Sequence, residues 1–204
     1  MKLKRLREEV LAVCVDLYKN DLLRNLGVGG NISARDTDSG LIAITPSQTR
    51  YDSMTWQDIL LVNAQGEVIE AKPQLKPSIE VPTHLLIYRE LGEVNAVIHT
   101  HSLYACVLSM LYDEVPLVHV EQIFLIGSPI PISKYVTPGT EEMAMVVVEK
   151  LKKVPAMIIR NHGPVVTGNN LNEALKRSLT IEDVSKIYYS ARCIQEPRLI
   201  PQDR

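Results

Sequence analysis

Short apolar segments that flank clusters of turn-forming residues occur twice in the first third of the chain. Residues 32–35 and 41–45 lie on either side of the sequence DTDSG, and residues 59–62 and 67–69 lie on either side of NAQG. Apolar runs joined by Asp, Asn, Ser and Gly are typical of strands connected by tight turns. We therefore predict two hairpins, which together form an antiparallel portion of a sheet.

Helical spacing of apolar residues surrounds these hairpins. In the first segment it relates five residues: Leu3, Leu6, Val10, Cys14 and Leu17. Apolar residues at three- and four-residue steps form one face of a helix. Further helices are predicted over 80–91, 102–111, 139–152 and 171–188, and buried strands over 96–98, 156–160 and 165–167. The proline-rich stretch 115–138 is predicted to be irregular.

This order of elements predicts an α/β fold in one domain that spans residues 1–204. A chain of this length buries a core of its own without disulfides. We expect a central mixed sheet with an antiparallel majority among its strands, covered by helices. Cys14, Cys106 and Cys193 are odd in number and form no C-x-x-C pair, so we expect reduced packing residues.

Charge limits the partners that the chain is expected to bind. Lys plus Arg number 22 and Asp plus Glu 24, which gives a formal charge of -2. Without a basic excess, we expect no nucleic-acid partner. Charges interrupt the apolar residues of the first twenty positions, which fits neither a secretory leader nor a membrane span. We therefore expect a cytoplasmic protein without a membrane partner.

Three histidines are the best candidates for a metal site. His99 and His101 form an H-x-H pair at the end of the apolar run 96–98, where the two-residue period of a strand points both imidazoles to one face. His162 follows another apolar run and precedes Gly163-Pro164. Each histidine alone is more commonly a structural residue, but the pair and a third imidazole match the open sites that zinc and related ions occupy.

Two other families with H-x-H motifs fit poorly. Metallo-β-lactamase-like hydrolases need H-x-H-x-D-H, whereas here the pair continues as His101-Ser102-Leu103-Tyr104. A cupin needs a carboxylate a few residues after the pair, and none is present. Both alternatives are disfavoured.

A carboxylate and several loop residues complete the set of candidate site residues. Glu80 begins the helix predicted over 80–91, where the helix dipole favours a negative charge. The alternative is that Glu80 exchanges a proton beside a Lewis-acid ion. The glycine-rich loop 27–30 and the hydroxyls of Ser47 and Ser78 are able to contact an anion, although turn formation alone also explains them.

Five motifs along the chain, taken in order, resemble the class II aldolase/adducin family. They are Gly29-Gly30-Asn31-Ile32-Ser33-Ala34-Arg35, Thr45-Pro46-Ser47, Lys76-Pro77-Ser78-Ile79-Glu80 with His84, His99-Thr100-His101 and Asn161-His162-Gly163. The resemblance spans nearly the whole chain. Within the family the pattern is most similar to the L-fuculose-1-phosphate aldolases.

The resemblance implies a three-layer αβα fold, a homotetramer with sites at subunit contacts, and a Zn2+ ion, with Mn2+ or Co2+ as alternatives. The ligands implied are His99, His101 and His162, with Glu80 touching the metal in the resting enzyme. The implied reaction passes through a metal-bound enediolate with Glu80 as the acid/base. Epimerases of the family carry Asp at this position, so Glu80 favours aldol chemistry or dehydration.

The resemblance also implies a phosphate site, and here the chain departs from the family pattern. The matching positions are Gly30, Asn31, Ser47, Gln48, Ser78 and Ile79. Gln48 replaces a glycine and Ile79 a serine, so one position loses close backbone approach and the other loses a hydroxyl. Val120 replaces the family tyrosine that protonates the aldehyde oxygen. Glu121 is the candidate replacement, acting from a neighbouring subunit; the alternative is a solvated carboxylate.

The hypothesis with the most support is a zinc-dependent aldolase that cleaves a ketose phosphate, or a similar sugar derivative, into a three-carbon enolate fragment and an aldehyde. A dehydratase, a decarboxylase and a 4-epimerase of the same fold use the same residues and stay open as alternatives. A non-catalytic module of the adducin type loses the metal ligands. Because the chain keeps the three histidines and Glu80, it is predicted to be an enzyme.

Overall fold

The computed structural model describes residues 2–23 and 29–201, so Gly27 and Val28 of the glycine-rich loop lie outside the described residues. The helices are α1 Lys4–Lys19, α2 Val81–Glu90, α3 Leu103–Ser109, α4 Val120–Leu125, α5 Glu141–Leu151 and α6 Leu171–Ile194. The strands are β1 Asn31–Arg35, β2 Ile42–Ile44, β3 Leu60–Val62, β4 Val68–Glu70, β5 Ala96–His99, β6 Glu114–Val115, β7 Ile130–Pro131, β8 Ala156–Ile159 and β9 Gly163–Gly168. Across the described ranges, every helix is too short or too polar to cross a membrane.

Seven of these strands form one sheet in the order β4-β3-β2-β1-β5-β9-β8. Every neighbouring pair in this order is antiparallel, which includes the predicted hairpins β1–β2 and β3–β4. β6 and β7 form a separate antiparallel pair. The central strands β1 and β5 are paired so that Asn31 lies opposite His99. This register brings two of the sequence motifs to the same end of the sheet.

Both faces of the sheet are covered over most of its strands, because alternate residues of β2, β3, β5, β8 and β9 belong to different hydrophobic clusters. Ile98 packs in the cluster that contains residues of α1, α3 and α6, whereas its neighbour Val97 packs with residues of α2 and α5. Ile158 and Met157 of β8 alternate in the same way. Strands buried on both faces are apolar at consecutive positions, which explains the unbroken apolar runs in the sequence. The three-layer αβα architecture is confirmed.

The helix starts follow from local capping chemistry. The side chain of Asn170 accepts a hydrogen bond from the backbone N–H of Glu173 at 3.0 Å at the start of α6. Thr140 accepts one from Met143 at 3.2 Å at the start of α5. Pro82 lies in the first turn of α2, where a missing N–H costs nothing. Glu80 is therefore the residue that precedes α2, as predicted.

The prediction that residues 115–138 are irregular is wrong, because this stretch contains α4 and β7. The buried side chain of Gln122 holds α4 in place, since its amide nitrogen donates to the carbonyls of Val115 and Ser128. The ring of His119 accepts the N–H of Glu121 and caps the helix. A six-residue helix fixed by such contacts has too few turns to produce a visible apolar period.

Candidate active site

The end of β5 and the turn between β8 and β9 bring three histidines together. His99 is the last residue of β5, His101 follows two positions later, and His162 lies in the turn. β9 pairs with both β5 and β8, so this turn is held beside the end of β5. The Nε2 atom of His99 lies 3.2 Å from that of His162 and 3.1 Å from that of His101.

This spacing of nitrogen atoms suits a tetrahedral metal ion. Nitrogens bound to one zinc at about 2.0–2.1 Å and tetrahedral angles stand about 3.3–3.4 Å apart. The separations of 3.1 and 3.2 Å among the imidazoles are within a few tenths of an ångström of that value. The three side chains together are able to hold a metal ion.

The protonation states of the three imidazoles also favour a metal. Nδ1 of His99 donates to the carbonyl of Pro164 at 2.9 Å, which leaves the lone pair on Nε2. Burial is the largest cause that lowers the pKa of all three groups, well below the usual value for His99 and to about 3 for His101. Neutral imidazole is the form that binds metals, so the site carries its ligands ready deprotonated at neutral pH.

Two glycines of the sequence motifs are required by close packing against the segment 99–101. A Cβ added to Gly163 would lie 2.1 Å from the carbonyl oxygen of Thr100. Gly30 has φ +90°, and a Cβ there would lie 2.7 Å from the carbonyl oxygen of His99. A side chain at either position would push the histidine segment away. The glycines therefore fix where the imidazoles stand.

Glu80 faces the three histidines from the start of α2. Its side chain is only 8% exposed, with Oε1 3.3 Å from Nε2 of His162 and Oε2 3.4 Å from Nε2 of His99. Oε2 also accepts a hydrogen bond of 2.6 Å from Nδ2 of Asn31. A carboxylate in this position is able to exchange a proton with a molecule held at the imidazoles.

The hydroxyl-bearing loops lie next to this carboxylate. Oγ of Ser78 accepts from Nδ2 of Asn31 at 3.3 Å and from the backbone N–H of Glu80 at 3.2 Å. The loop that contains Ser47 is paired with the loop before Ser78, because the N–H of Ser47 donates to the carbonyl of Lys76 at 2.8 Å. The predicted phosphate-binding segments are thus brought together beside Glu80.

Comparison with known proteins decides the family. Residues 8–189 match the family model described as Class II Aldolase and Adducin N-terminal domain. The chain belongs to the class II aldolase and adducin family. Its place among the class II aldolases confirms the predicted resemblance and the prediction of an enzyme of the aldolase class.

Relatives of known name cover almost the full length of this class II aldolase. It is 36% identical over 203 residues to the 5-deoxy-D-ribulose 1-phosphate aldolase of Bacillus thuringiensis serovar kurstaki, covering 100% of this chain and 93% of the relative. It is 32% identical over 179 residues to the 5-methylthioribulose-1-phosphate/5-deoxyribulose-1-phosphate aldolase of Rhodospirillum rubrum, covering 88% and 79%. A solved L-fuculose 1-phosphate aldolase superposes with a TM-score of 0.91 at 30% identity, covering 100% of this chain and 93% of that one.

Two positions at which this class II aldolase departs from the family pattern lie at the predicted phosphate loops. Gln48 has φ +53°, the left-handed backbone conformation that a glycine adopts without strain. Gln48 thus carries a side chain in a backbone conformation that favours glycine. Ile79 is 67% exposed beside Gly139.

Replacement of Gln48 by glycine is expected to raise the free energy of unfolding by about 1 kcal/mol. A residue with a Cβ pays about 1–2 kcal/mol for the left-handed conformation, and glycine avoids this cost. Part of the gain is lost because glycine gives up more backbone entropy on folding. Urea denaturation of the metal-free protein measures the change. Thr49→Gly in the same loop is the control and is expected to destabilise, because Thr49 has no positive φ. Destabilisation by both changes would contradict the left-handed conformation of Gln48.

Glu121 is not brought to the histidines within one chain. It lies in the first turn of α4 and is exposed, as are His119 and Val120. A cavity of about 200 Å³ separates this turn from α6, and its lining residues include Glu121, Asp183 and Lys186 but none of the three clustered histidines. A role for Glu121 in the reaction therefore stays a prediction that depends on a second subunit.

A buried polar network behind Glu80 was missed by the sequence reasoning. His84 contacts Asn31 through Nε2 at 2.5 Å and Ser33 through Nδ1 at 2.7 Å, and Oγ of Ser33 lies 2.7 Å from the hydroxyl of Tyr88. The signal that points to it is the four-residue spacing of His84 and Tyr88, which puts two polar side chains on the buried face of α2.

The pKa of His84 predicts a loss of stability in acid. Burial lowers this pKa from 6.5 to about 4, although the charge of Glu80 acts in the opposite direction. Between these two values the unfolded chain binds a proton that the folded chain does not, so stability falls as the pH falls from 6.5 to 4. The shift corresponds to about 3 kcal/mol.

In urea denaturation of the metal-free protein, we expect the parent to lose about 3 kcal/mol more than His84→Gln between pH 7 and pH 4. The difference between the two proteins removes the contributions of the other buried histidines. Equal losses in the parent and the variant would contradict the burial of a neutral His84.

Proposed function

We propose that this chain is a zinc-dependent aldolase that cleaves a 5-deoxypentulose 1-phosphate into dihydroxyacetone phosphate and a short aldehyde. The observation that carries the proposal is a buried carboxylate, Glu80, held 3.3–3.4 Å from two of three converging imidazole nitrogens. Glu80 and the histidines His99, His101 and His162 are the proposed metal-binding residues. A divalent ion held there supplies stabilisation of the negative charge that develops on the substrate oxygen next to the breaking bond.

Glu80 is proposed to handle the proton at the carbon beside the ketone. In the cleavage direction the C3–C4 bond breaks and its electron pair remains on the three-carbon fragment. The C4 hydroxyl loses its proton to a base and becomes the aldehyde oxygen. Glu80 then gives a proton to C3, which completes dihydroxyacetone phosphate, and regains a proton from solvent. In the reverse direction Glu80 removes the same proton.

The base for the C4 hydroxyl is proposed to be Glu121 of a neighbouring subunit. Exposed apolar side chains on α4 support an assembly that covers this helix: Val120 is 50% exposed, Ile123 37% and Phe124 80%. Apolar residues of this kind are typical of subunit contacts. We propose that this assembly is a homotetramer and that the protein is located in the cytoplasm.

The phosphate is proposed to bind at Gly30, Asn31, Ser47, Gln48, Ser78 and Ile79. The pairing of the two loops and the left-handed backbone of Gln48 support this assignment, because the pairing places Ser47 and Gln48 beside the segment that leads to Ser78 and Glu80. Backbone N–H groups at such turns are common phosphate ligands.

The 5-deoxy sugar is supported by the names of two relatives, both of which refer to 5-deoxyribulose 1-phosphate. The far end of such a substrate is a methyl group, which needs no hydrogen-bond partner. The apolar residue Val120, at the position where the family carries a tyrosine, agrees with a less polar substrate. Release of dihydroxyacetone phosphate separates cleavage from dehydratase, decarboxylase and 4-epimerase activities, none of which forms this product.

The test compares four substrates with the zinc-loaded protein: 5-deoxy-D-ribulose 1-phosphate, D-ribulose 1-phosphate, L-fuculose 1-phosphate and L-ribulose 5-phosphate. Release of dihydroxyacetone phosphate is followed by coupled reduction. We expect kcat/KM for the 5-deoxy substrate to exceed that for D-ribulose 1-phosphate, which differs by one hydroxyl, by about 10- to 100-fold. Epimerisation of the last substrate without any cleavage would contradict the proposal.

A further inference from the structure

Four buried side chains connect the inner face of α2 to Glu80. The chain of contacts runs from the hydroxyl of Tyr88 to Ser33 at 2.7 Å, from Ser33 to His84 at 2.7 Å and from His84 to Asn31 at 2.5 Å. It ends with Nδ2 of Asn31, which donates to Glu80 at 2.6 Å. Each of these residues is at most 6% exposed, so water cannot replace a missing partner.

The direction of every hydrogen bond in this series follows from its last member, the carboxylate of Glu80. A carboxylate accepts, so Asn31 must present its NH₂ group to Glu80 and its carbonyl oxygen to His84. His84 therefore donates from Nε2 and accepts at Nδ1 from the hydroxyl of Ser33. Ser33 in turn accepts from the hydroxyl of Tyr88. Every donor and acceptor of the series is therefore paired only when the hydrogen bonds run from Tyr88 towards Glu80.

His84 determines which end of the Asn31 amide faces Glu80. With the amide reversed, its carbonyl oxygen would stand against the carboxylate and its NH₂ group against the N–H of His84. An unmatched buried donor or acceptor costs about 1–3 kcal/mol, and charged partners cost more. A side chain at position 84 that cannot donate removes this control, whereas one that donates from the same place retains it.

We infer that His84 is a positioning residue for the reaction: through Asn31 it holds the Glu80 carboxylate facing the imidazole nitrogens. This series of hydrogen bonds is not a proton path, because the Asn31 amide cannot relay a proton between its oxygen and its nitrogen. Ser33 and Tyr88 act by holding the His84 ring and its tautomer. This inference rests on the proposed role of Glu80 as the acid/base.

Two substitutions of similar size separate positioning from packing. His84→Gln places an amide donor near the former Nε2, whereas His84→Leu fills similar space without a donor. We expect His84→Leu to lower kcat by about 10- to 100-fold with a smaller change in KM, and His84→Gln to stay within about threefold of the parent. Thr83→Val is the control for disturbance of α2, since the buried hydroxyl of Thr83 has no partner among the described residues.

A second readout needs neither metal nor substrate. In metal-free protein labelled with ¹⁵N-asparagine, the Asn31 side-chain N–H bonded to Glu80 should give a downfield, exchange-protected signal, assigned by its loss in Asn31→Ala. We expect this signal to persist in His84→Gln and to disappear in His84→Leu. Loss of the signal together with the fall in kcat supports the inference.

Four other outcomes are decisive. Persistence of the Asn31 signal in His84→Leu would overturn the inference, as would its loss with an unchanged kcat. Equal kcat values for the Gln and Leu variants would assign His84 to packing alone. If the parent has no aldolase activity but the signal behaves as expected, the proposed function fails while the positioning of Glu80 by His84 stands.

Discussion

Replacement of Glu80 by glutamine is expected to lower kcat for cleavage by about 100- to 10,000-fold, the range that loss of a general acid/base produces. Glutamine has nearly the same shape and its side-chain oxygen can still accept the hydrogen bond from Asn31, but it exchanges no proton. The direct measurement is deuterium uptake at C3 of dihydroxyacetone phosphate in D₂O, which follows the proton transfer without the aldehyde.

A matched control for this change is Glu182→Gln. Glu182 is half-buried and accepts the N–H groups of Tyr104 and Ala105 at 3.0 and 3.1 Å, and burial raises its pKa. It lies outside the site, so its amide variant is expected to exchange deuterium within about threefold of the parent once folded. Deuterium uptake at the parent rate in Glu80→Gln would remove Glu80 from the proposed role.

Substitution of His99 by alanine is expected to weaken binding of Zn2+ by more than about 100-fold. Loss of a residue that only hydrogen-bonds to a metal ligand typically weakens metal binding by about 10- to 100-fold, and loss of a ligand itself is expected to weaken it more. His99 lies between the other two histidines, with its Nε2 3.1–3.2 Å from each of theirs. Its loss leaves two imidazoles, too few for a three-nitrogen site. Metal per chain, measured by mass spectrometry after dialysis against a metal buffer, gives the result.

The control for His99→Ala is His119→Ala, because His119 is exposed at the start of α4 and is not part of the cluster. We expect the control to keep one Zn2+ per chain. If both variants retained the metal equally, the ion would have to be held elsewhere.

The sheet and its two helix layers were predictable because burial on both faces leaves a strong imprint on the sequence. The turn clusters after residues 35 and 62 marked both hairpins, and consecutive apolar residues marked the central strands. The strand order was not predictable, since it depends on pairings between distant segments such as β1 with β5. α4 was missed because contacts of Gln122, rather than an apolar period, define it.

The histidine cluster was predictable to the extent that its members occupy recognisable ends of strands. His99 and His101 follow β5 at a two-residue step, and His162 follows β8 in a turn. Their convergence needed the structure, because β9 determines the distance between the two segments. Glu80 was placed correctly at the start of α2, although its contact with Asn31 joins residues 49 positions apart.

The loops and the network behind Glu80 show the limit of reasoning by residue type. A glutamine in place of glycine indicated a changed phosphate loop, yet Gln48 has a left-handed backbone. Backbone conformation at a substituted glycine depends on what holds the loop, here its pairing with the segment before Ser78. Ser33 and His84 belong to the motifs that carry the family resemblance, but their connection is visible only when the strand and the helix pack together.

Cleavage is expected to depend on one divalent ion at the three histidines. The most direct test is a titration of Zn2+ into chelator-treated protein while dihydroxyacetone phosphate is measured from 5-deoxy-D-ribulose 1-phosphate. We expect a rate near zero without metal, a linear rise up to one Zn2+ per chain and no further rise beyond it. An unchanged rate in the metal-free protein, or no cleavage at any Zn2+ level, would contradict it.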